Sequence, residues 1–161
     1  DVIMDFGQSA QICGLGSVSV KGNVITPKFG PFVRLVFIVT DAPLETDEPF
    51  SGNLCDKCGE CETVCPGHAV SMEDGLDSWQ CSVYYRGAHK SNPLMKDDFL
   101  INYPDREKII NGDVRFDSVS ARAIYPYLDF LPSRTTGYAP CLCDKRCDIA
   151  CYNHLKGRGL I

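Results

Sequence analysis

At 161 residues, 44% of them hydrophobic, the chain is long enough for one ordinary domain or two small halves, and apolar enough for a core. A net charge of −5 argues against a nucleic-acid partner, and no apolar run reaches the roughly 18 residues that a membrane-spanning helix needs. Ten cysteines are too many for thiols that merely pack.

In chain order, Gln8–Cys13 reads as the end of a helix, with Gly14 just past it as a left-handed cap. Ser17–Val20 alternates polar and apolar, as does the stretch around Val24 and Thr26. Lys21-Gly22-Asn23 between them reads as a turn, so a hairpin is expected. Pro27 to Pro31 breaks the pattern. Pro31–Thr40, rich in Val, Phe, Leu and Ile, reads as a buried strand, and Asp41–Leu54 as a loop. Ser78–Arg86 predicts a short helix, and Lys96–Ile110 fits no single pattern. Ser118–Leu131 has helical spacing that Pro126 should kink or end, and Asp144–Leu155 predicts a last helix.

No charged-then-apolar leader opens the sequence, so a cytoplasmic protein is expected. The first residue is Asp1, so the chain is expected to be processed or to belong to something longer. Charge is uneven. Asp41, Glu45, Asp47, Glu48, Asp56, Glu60, Glu62, Glu73, Asp74 and Asp77 face one base, Lys57, whereas from Pro132 onward Arg134, Lys145, Arg146, Lys156 and Arg158 outweigh Asp144 and Asp148. The acids are either solvated loop surface or a rim that orients a basic redox partner.

The strongest chemical signal is Cys55-Asp56-Lys57-Cys58-Gly59-Glu60-Cys61-Glu62-Thr63-Val64-Cys65-Pro66, a C-x2-C-x2-C-x3-C-P run. A cubane needs one thiolate at each corner iron. Three cysteines spaced by two residues can cap three irons of one cube, and the fourth, a helical turn on, serves a second cube. Structural zinc wants two separated pairs, and a disulfide framework belongs to short secreted chains, so both fit this run poorly. The second group, Cys141-Leu142-Cys143-Asp144-Lys145-Arg146-Cys147-Asp148-Ile149-Ala150-Cys151-Tyr152, has one residue more than a ferredoxin run and Tyr152 in place of the proline. Cys143, Cys147 and Cys151 are spaced to share one face of a helix. Two [4Fe–4S] clusters need eight thiolates, so the eighth is Cys81 or Cys141. His68, His89 and His154 read as surface or supporting residues rather than ligands. Gly14-Leu15-Gly16 has Ser19 where a dinucleotide loop needs its third glycine, so it is not one.

The order Gly14-Leu15-Gly16, Ile25-Thr26-Pro27-Lys28-Phe29-Gly30-Pro31, Arg34-Leu35, Thr40-Asp41-Ala42-Pro43-Leu44 and then the cysteine run resembles the epoxyqueuosine reductase and reductive dehalogenase group. The ending Cys147-Asp148-Ile149-Ala150-Cys151-Tyr152-Asn153-His154-Leu155 is similar to members of that group from anaerobes. The resemblance covers nearly the whole chain, as a C-terminal part. It implies two [4Fe–4S] clusters relaying electrons to a corrinoid held in an α/β domain. It assigns Cys55, Cys58, Cys61 and Cys151 to one cube and Cys65, Cys81, Cys143 and Cys147 to the other, leaving Cys141 and Cys13 spare. It implies that Gly14, Gly16, Thr26 and Gly30 give one wall of a corrinoid site, although the residues by themselves favour turns and a cap. Most of that family's corrinoid domain lies ahead of its GLG segment. Its acidic residue there has no secure counterpart here, Asp1 and Asp5 both standing at uncertain offsets.

The expected fold is α+β: a partial α/β segment over residues 1–50 with a hairpin and a strand, then a ferredoxin-like double-cluster domain over residues 51–161 with a long insert. The expected role is an electron-transfer, oxidoreductase-type module with no evident complete active site of its own. It would be fed by a redox partner protein or joined to an upstream corrinoid domain. The alternatives are a stand-alone iron–sulfur carrier that activates or reduces a partner metalloenzyme, and a purely structural iron–sulfur domain.

Overall fold

The computed structural model describes residues 4–128, 130 and 140–161. The expectations that rest on Asp1, Leu131 and Arg134 lie outside these residues. The elements in chain order are α1 (Phe6–Ile12), β1 (Ser17–Val18), β2 (Val24–Ile25), α2 (Glu60–Thr63), β3 (Val70–Ser71), β4 (Gly75–Leu76), α3 (Ser78–Tyr85), α4 (Arg106–Asn111), α5 (Ser118–Ile124), a 3-10 turn (Tyr125–Leu128) and α6 (Arg146–Gly157). The class is α+β, with two antiparallel hairpins and short helices. Contacts divide the chain into two compact units, one of Asp1–Glu60 with Asp148–Ile161 and one of Cys61–Cys147. Among the described residues no helix is long and apolar enough to cross a membrane.

In the first unit, α1 starts at Asp5, whose carboxylate accepts from the Gln8 N–H at 2.7 Å. It ends as the sequence predicts. Gly14 sits at φ 72°, and the Leu15 N–H reaches back to the Ala10 carbonyl at 2.9 Å. The expected hairpin forms, with Ser17 opposite Ile25 and Val18 opposite Val24. A Cβ on Gly16 would lie 2.0 Å from the Ile25 carbonyl oxygen, so this position admits no side chain. Ile25, Leu54 and Leu155 form the buried centre, with Phe50, Cys55, Cys151, Leu160 and Ile161 packed around it.

The strand expected over Pro31–Thr40 does not form. Val36, Ile38 and Val39 are 76%, 82% and 98% exposed, and no strand among the described residues pairs with the stretch. Its composition favours extended backbone, but a strand is stabilised by the ladder and neighbouring side chains rather than by propensity alone.

The second unit holds the larger core, built from Val83, Tyr84, Phe99, Ile109, Phe116 and Ile124 among others. Aspartates cap the starts of α3 and α5. Asp77 accepts from the N–H groups of Trp79 and Gln80, and Asp117 forms a capping box with Ser120. The Ser120 bonds hold the Asp117 carboxyl below its usual range. α5 gives way to a 3-10 turn at Tyr125-Pro126, as the proline predicts. Between Lys96 and Ile110 only the end is helical, as part of α4, whose residues Ile109 and Ile110 are buried. The short β3–β4 hairpin had no sequence signal in the reading above.

His89 is 2% exposed. Its Nε2–H donates to the Leu142 carbonyl at 3.0 Å, and its Nδ1 accepts from the Ser91 hydroxyl at 2.9 Å. Ser91 Oγ in turn accepts from Arg146 at 2.6 Å, and this pattern assigns the neutral tautomer. Burial, the largest cause, pushes the imidazole pKa below its ordinary 6.5. The folded chain therefore binds fewer protons here than the unfolded one. This contribution to stability is complete above about pH 6.5 and declines as pH falls below it. Denaturant midpoints measured down through that pH should fall more steeply for the wild type than for His89→Gln. Parallel curves would refute this.

Candidate metal centre

In the first unit the start of the cysteine run is anchored by its backbone. The Leu54 N–H donates to Ser17 Oγ at 2.9 Å, tying the loop to the β1–β2 hairpin, and the Cys55 N–H donates to Asn53 Oδ1 at 3.1 Å. Lys57 at φ 57° then turns the chain back on itself. Cys55 and Cys151, far apart in sequence, both pack half-buried against the Ile25–Leu54–Leu155 cluster, while Cys58 is exposed. Asp56, between Cys55 and Cys58, accepts from His154 Nε2 at 2.9 Å and from Arg158 Nη1 at 2.6 Å. The His154 bond is the main reason that its carboxyl stays below the usual range, with the Arg158 charge adding to it. The ligating atoms of Asp56, Cys58 and His154 lie within 4.8 Å of one another. The sequence marks His154 only as a surface or supporting residue and does not point to this partner. A helical turn that carries His154 and Arg158 four residues apart, with an aspartate inside the run, is the signal that could have found it.

The second unit contains Cys61, Cys65, Cys81, Cys141, Cys143 and Cys147. Cys61 lies on α2 and is buried, and Cys65 Sγ accepts from the Ala69 N–H at 3.3 Å. Cys81 lies on α3, and the adjacent Gln80 fixes that helix. Gln80 Nε2 donates to the Gly67 carbonyl at 2.7 Å and the Val114 carbonyl at 2.9 Å, while its Oε1 accepts from the Phe116 N–H at 2.9 Å. At the far end of α3 the Leu142 N–H donates to the Tyr85 carbonyl at 2.7 Å. One helix therefore carries Cys81, holds the segment just after Cys65 and holds the stretch between Cys141 and Cys143.

Cys147 and Cys151 lie on α6, but Cys143 does not share their helix. α6 begins only at Arg146, because Asp144 and Lys145 adopt left-handed backbone at φ 55° and 48°. Cys141 and Cys143 touch, Sγ to Sγ, at 3.6 Å. The hydrogen bond from Cys143 lowers the Cys141 pKa to about 6. The same bond, with burial and the charges of Cys141 and Cys147, pushes Cys143 upward. Cys13 is exposed, on the turn that ends α1.

Of the four residues expected to face a corrinoid, Gly14 and Thr26 line an open groove of about 650 Å³ together with Lys28, Phe29, Phe32 and Leu35. Gly16 is turned to the Ile25 carbonyl, and a side chain at Gly30 would meet Tyr152, Leu155 and Ile161. Thr26 and Gly30 exchange backbone bonds at 2.9 Å each, and the Phe29 N–H donates to Thr26 Oγ1 at 3.1 Å. The Ile25–Pro31 segment is thus a closed turn with one face on the groove.

No family model matches the chain, and no solved structure matches it. Curated relatives do. An epoxyqueuosine reductase from Atelocyanobacterium thalassa is 34% identical over 83 residues, which is 52% of this chain and 27% of the relative. The tetrachloroethene reductive dehalogenase of Sulfurospirillum multivorans is 41% identical over 61 residues, covering 36% of this chain and 12% of the relative. An epoxyqueuosine reductase from Vibrio cholerae is 36% identical over 75 residues, covering 47% and 20%. The matches span about a quarter or less of these relatives' own lengths. Over about half of its own length the chain is similar to epoxyqueuosine reductases, and over about a third of it to a reductive dehalogenase.

Proposed function

We propose that the chain is an electron-transfer module that holds two [4Fe–4S] clusters and feeds a corrinoid-dependent or related reductase. The observation that carries this reading is the meeting of Cys55 and Cys151 on one apolar cluster, across most of the chain's length. No local disulfide or zinc pairing needs that approach, whereas a cube held by Cys55, Cys58, Cys61 and Cys151 does. Cys65, Cys81, Cys143 and Cys147, the set for the other cube, all belong to the second unit. The clusters would supply one-electron transfer. The protein's part is to present thiolates, donate amide hydrogen bonds to sulfur and keep the cubes in loops pinned by buried side chains. The fold around them would be ferredoxin-like, with the α3–α5 core as the long insert. The groove beside Gly14 and Thr26 would form one wall of a corrinoid site completed by another domain or protein.

A stand-alone carrier that docks on a metalloenzyme is the second reading. It is favoured by the exposed acids Glu45, Asp47 and Glu48 and by the exposed side chains of Val36, Ile38 and Val39.

Protein purified without oxygen should contain about eight irons per chain and show broad visible absorbance that bleaches with dithionite. Zinc, or only about four irons, would overturn the two-cluster reading. Cys81→Ala should lower iron content and change one reduced-cluster EPR signal, whereas Cys141→Ala should change neither. The reverse result would make Cys141 the eighth ligand. Docking through the acidic rim should weaken with salt, because the screening length is about 8 Å at physiological ionic strength. Neutralising Glu45, Asp47 and Glu48 to their amides should slow reduction by a basic donor and flatten its salt dependence. Equal rates and equal slopes would make those acids plain solvated surface.

A further inference from the structure

We infer that Asp56, with His154 and Arg158, is a positioning clasp that sets the thiolates of Cys55, Cys58 and Cys151 in register for one cube. The inference rests on the two-cluster reading above and assigns roles to three residues that bear no thiol.

The three groups sit where such a clasp has to be. Asp56 is the residue after Cys55 and two before Cys58. His154 lies three residues beyond Cys151 on α6, on the same side of the helix. Arg158 lies one residue past the end of α6 and four past His154, so both reach one carboxylate oxygen, Oδ2, at 2.9 and 2.6 Å. The side chains are a quarter to under a half exposed, at 25% for His154, 44% for Arg158 and 37% for Asp56. Ion pairs that wet contribute little to stability, so two cations converging on one loop carboxylate do more for placement than for folding. Upstream of Cys55 the loop is pinned by the Leu54 N–H on Ser17. Downstream, where Lys57 turns the backbone and Cys58 is exposed, Asp56 carries the bonds that reach α6. A cube tolerates little error in where its capping sulfurs stand, and the supporting shell of a metal site sets that placement. Apolar contact at Ile25, Leu54 and Leu155 seats Cys55 and Cys151 on one cluster, and Lys21 on Asp148 ties the start of α6 to the hairpin. Two charge-assisted bonds to one oxygen add a constraint between the end of α6 and the loop that leads to Cys58.

The test uses the full chain with Asp56→Ala, Asp56→Asn and the double variant His154→Ala/Arg158→Ala. After anaerobic reconstitution, Asp56→Ala should hold about half the iron of the wild type, lose one of two reduced-cluster EPR signals and keep its far-UV CD. The asparagine retains an accepting oxygen and should restore iron content. The double variant should match Asp56→Ala, and adding Asp56→Ala to it should cost nothing more, because the three residues act as one unit. Asp56→Ala with both signals and undiminished resistance to a chelator would overturn the clasp, as would an asparagine variant no better than the alanine.

A second measurement does not need clusters. In the metal-free chain a thiol-bridging bimane should join the tryptic peptide Leu35–Lys57, whose sole cysteine is Cys55, to Cys147–Lys156, with fragmentation placing the bridge on Cys151 rather than Cys147. The yield should drop several-fold in Asp56→Ala and recover in Asp56→Asn. An unchanged yield refutes the clasp. A wild type that bridges in this way but never takes up iron refutes the electron-transfer reading instead.

Discussion

A single buried amide organises the second unit. Gln80 is fully buried and uses three of its hydrogen-bonding positions at once, on the Gly67 carbonyl of one loop and on the Val114 carbonyl and Phe116 N–H of another. Any shorter or apolar residue would leave the Gly67 and Val114 carbonyls and the Phe116 N–H unpaired, at about 1–3 kcal/mol for each buried group. The loops that Gln80 joins have no ladder or helix of their own, so their path is set by this side chain. Tyr84, one turn on, repeats the device: its hydroxyl donates to the Ile109 carbonyl at 2.7 Å from within the core, and burial raises its pKa. α3 is thereby fixed on two sides, and Cys81 inherits a position that a helix of eight residues could not hold alone.

The first unit uses a different device for the same end. Its apolar centre is small, and polar pairs at its edge do the aligning. Lys21, 8% exposed as a residue, meets Asp148 at 2.6 Å and ties the β1–β2 hairpin to α6. An uncompensated buried ammonium is costly, so this pair fixes where α6 lies more firmly than an exposed pair would. In both units, short polar links to backbone or carboxylate hold cysteine-bearing segments that have little regular structure.

Local chemistry made several elements legible in the sequence. The helices expected over Ser78–Arg86 and from Ser118 form, Gly14 closes α1, Lys21-Gly22-Asn23 turns a hairpin and Pro126 ends α5. Each acts within a few residues, where a single sequence suffices. The cysteine spacing is local in the same way. What escaped depends on distant residues. Pro31–Thr40 has strand composition, yet its state depends on whether a neighbour pairs with it, and composition does not encode the neighbour. Cys143 matched Cys147 and Cys151 in spacing, but two left-handed residues put it ahead of the helix, and Asp144-Lys145 gives no glycine to mark that turn. Asp56, His154 and Arg158 are unremarkable in sequence because the carboxylate and its cations come from opposite ends of the chain.

The stretch Leu35-Val36-Phe37-Ile38-Val39-Thr40 combines β-branched and aromatic residues, no charge and no proline, and three of its side chains are largely in solvent. That composition suits self-stacking between copies, strand on strand, and an unpaired backbone invites it. Arg34 and Asp41 stand immediately on either side. Charges that flank such a window act as gatekeepers, because stacking in register would place like charges one above another. Arg34 and Asp41 would therefore oppose such stacking between copies.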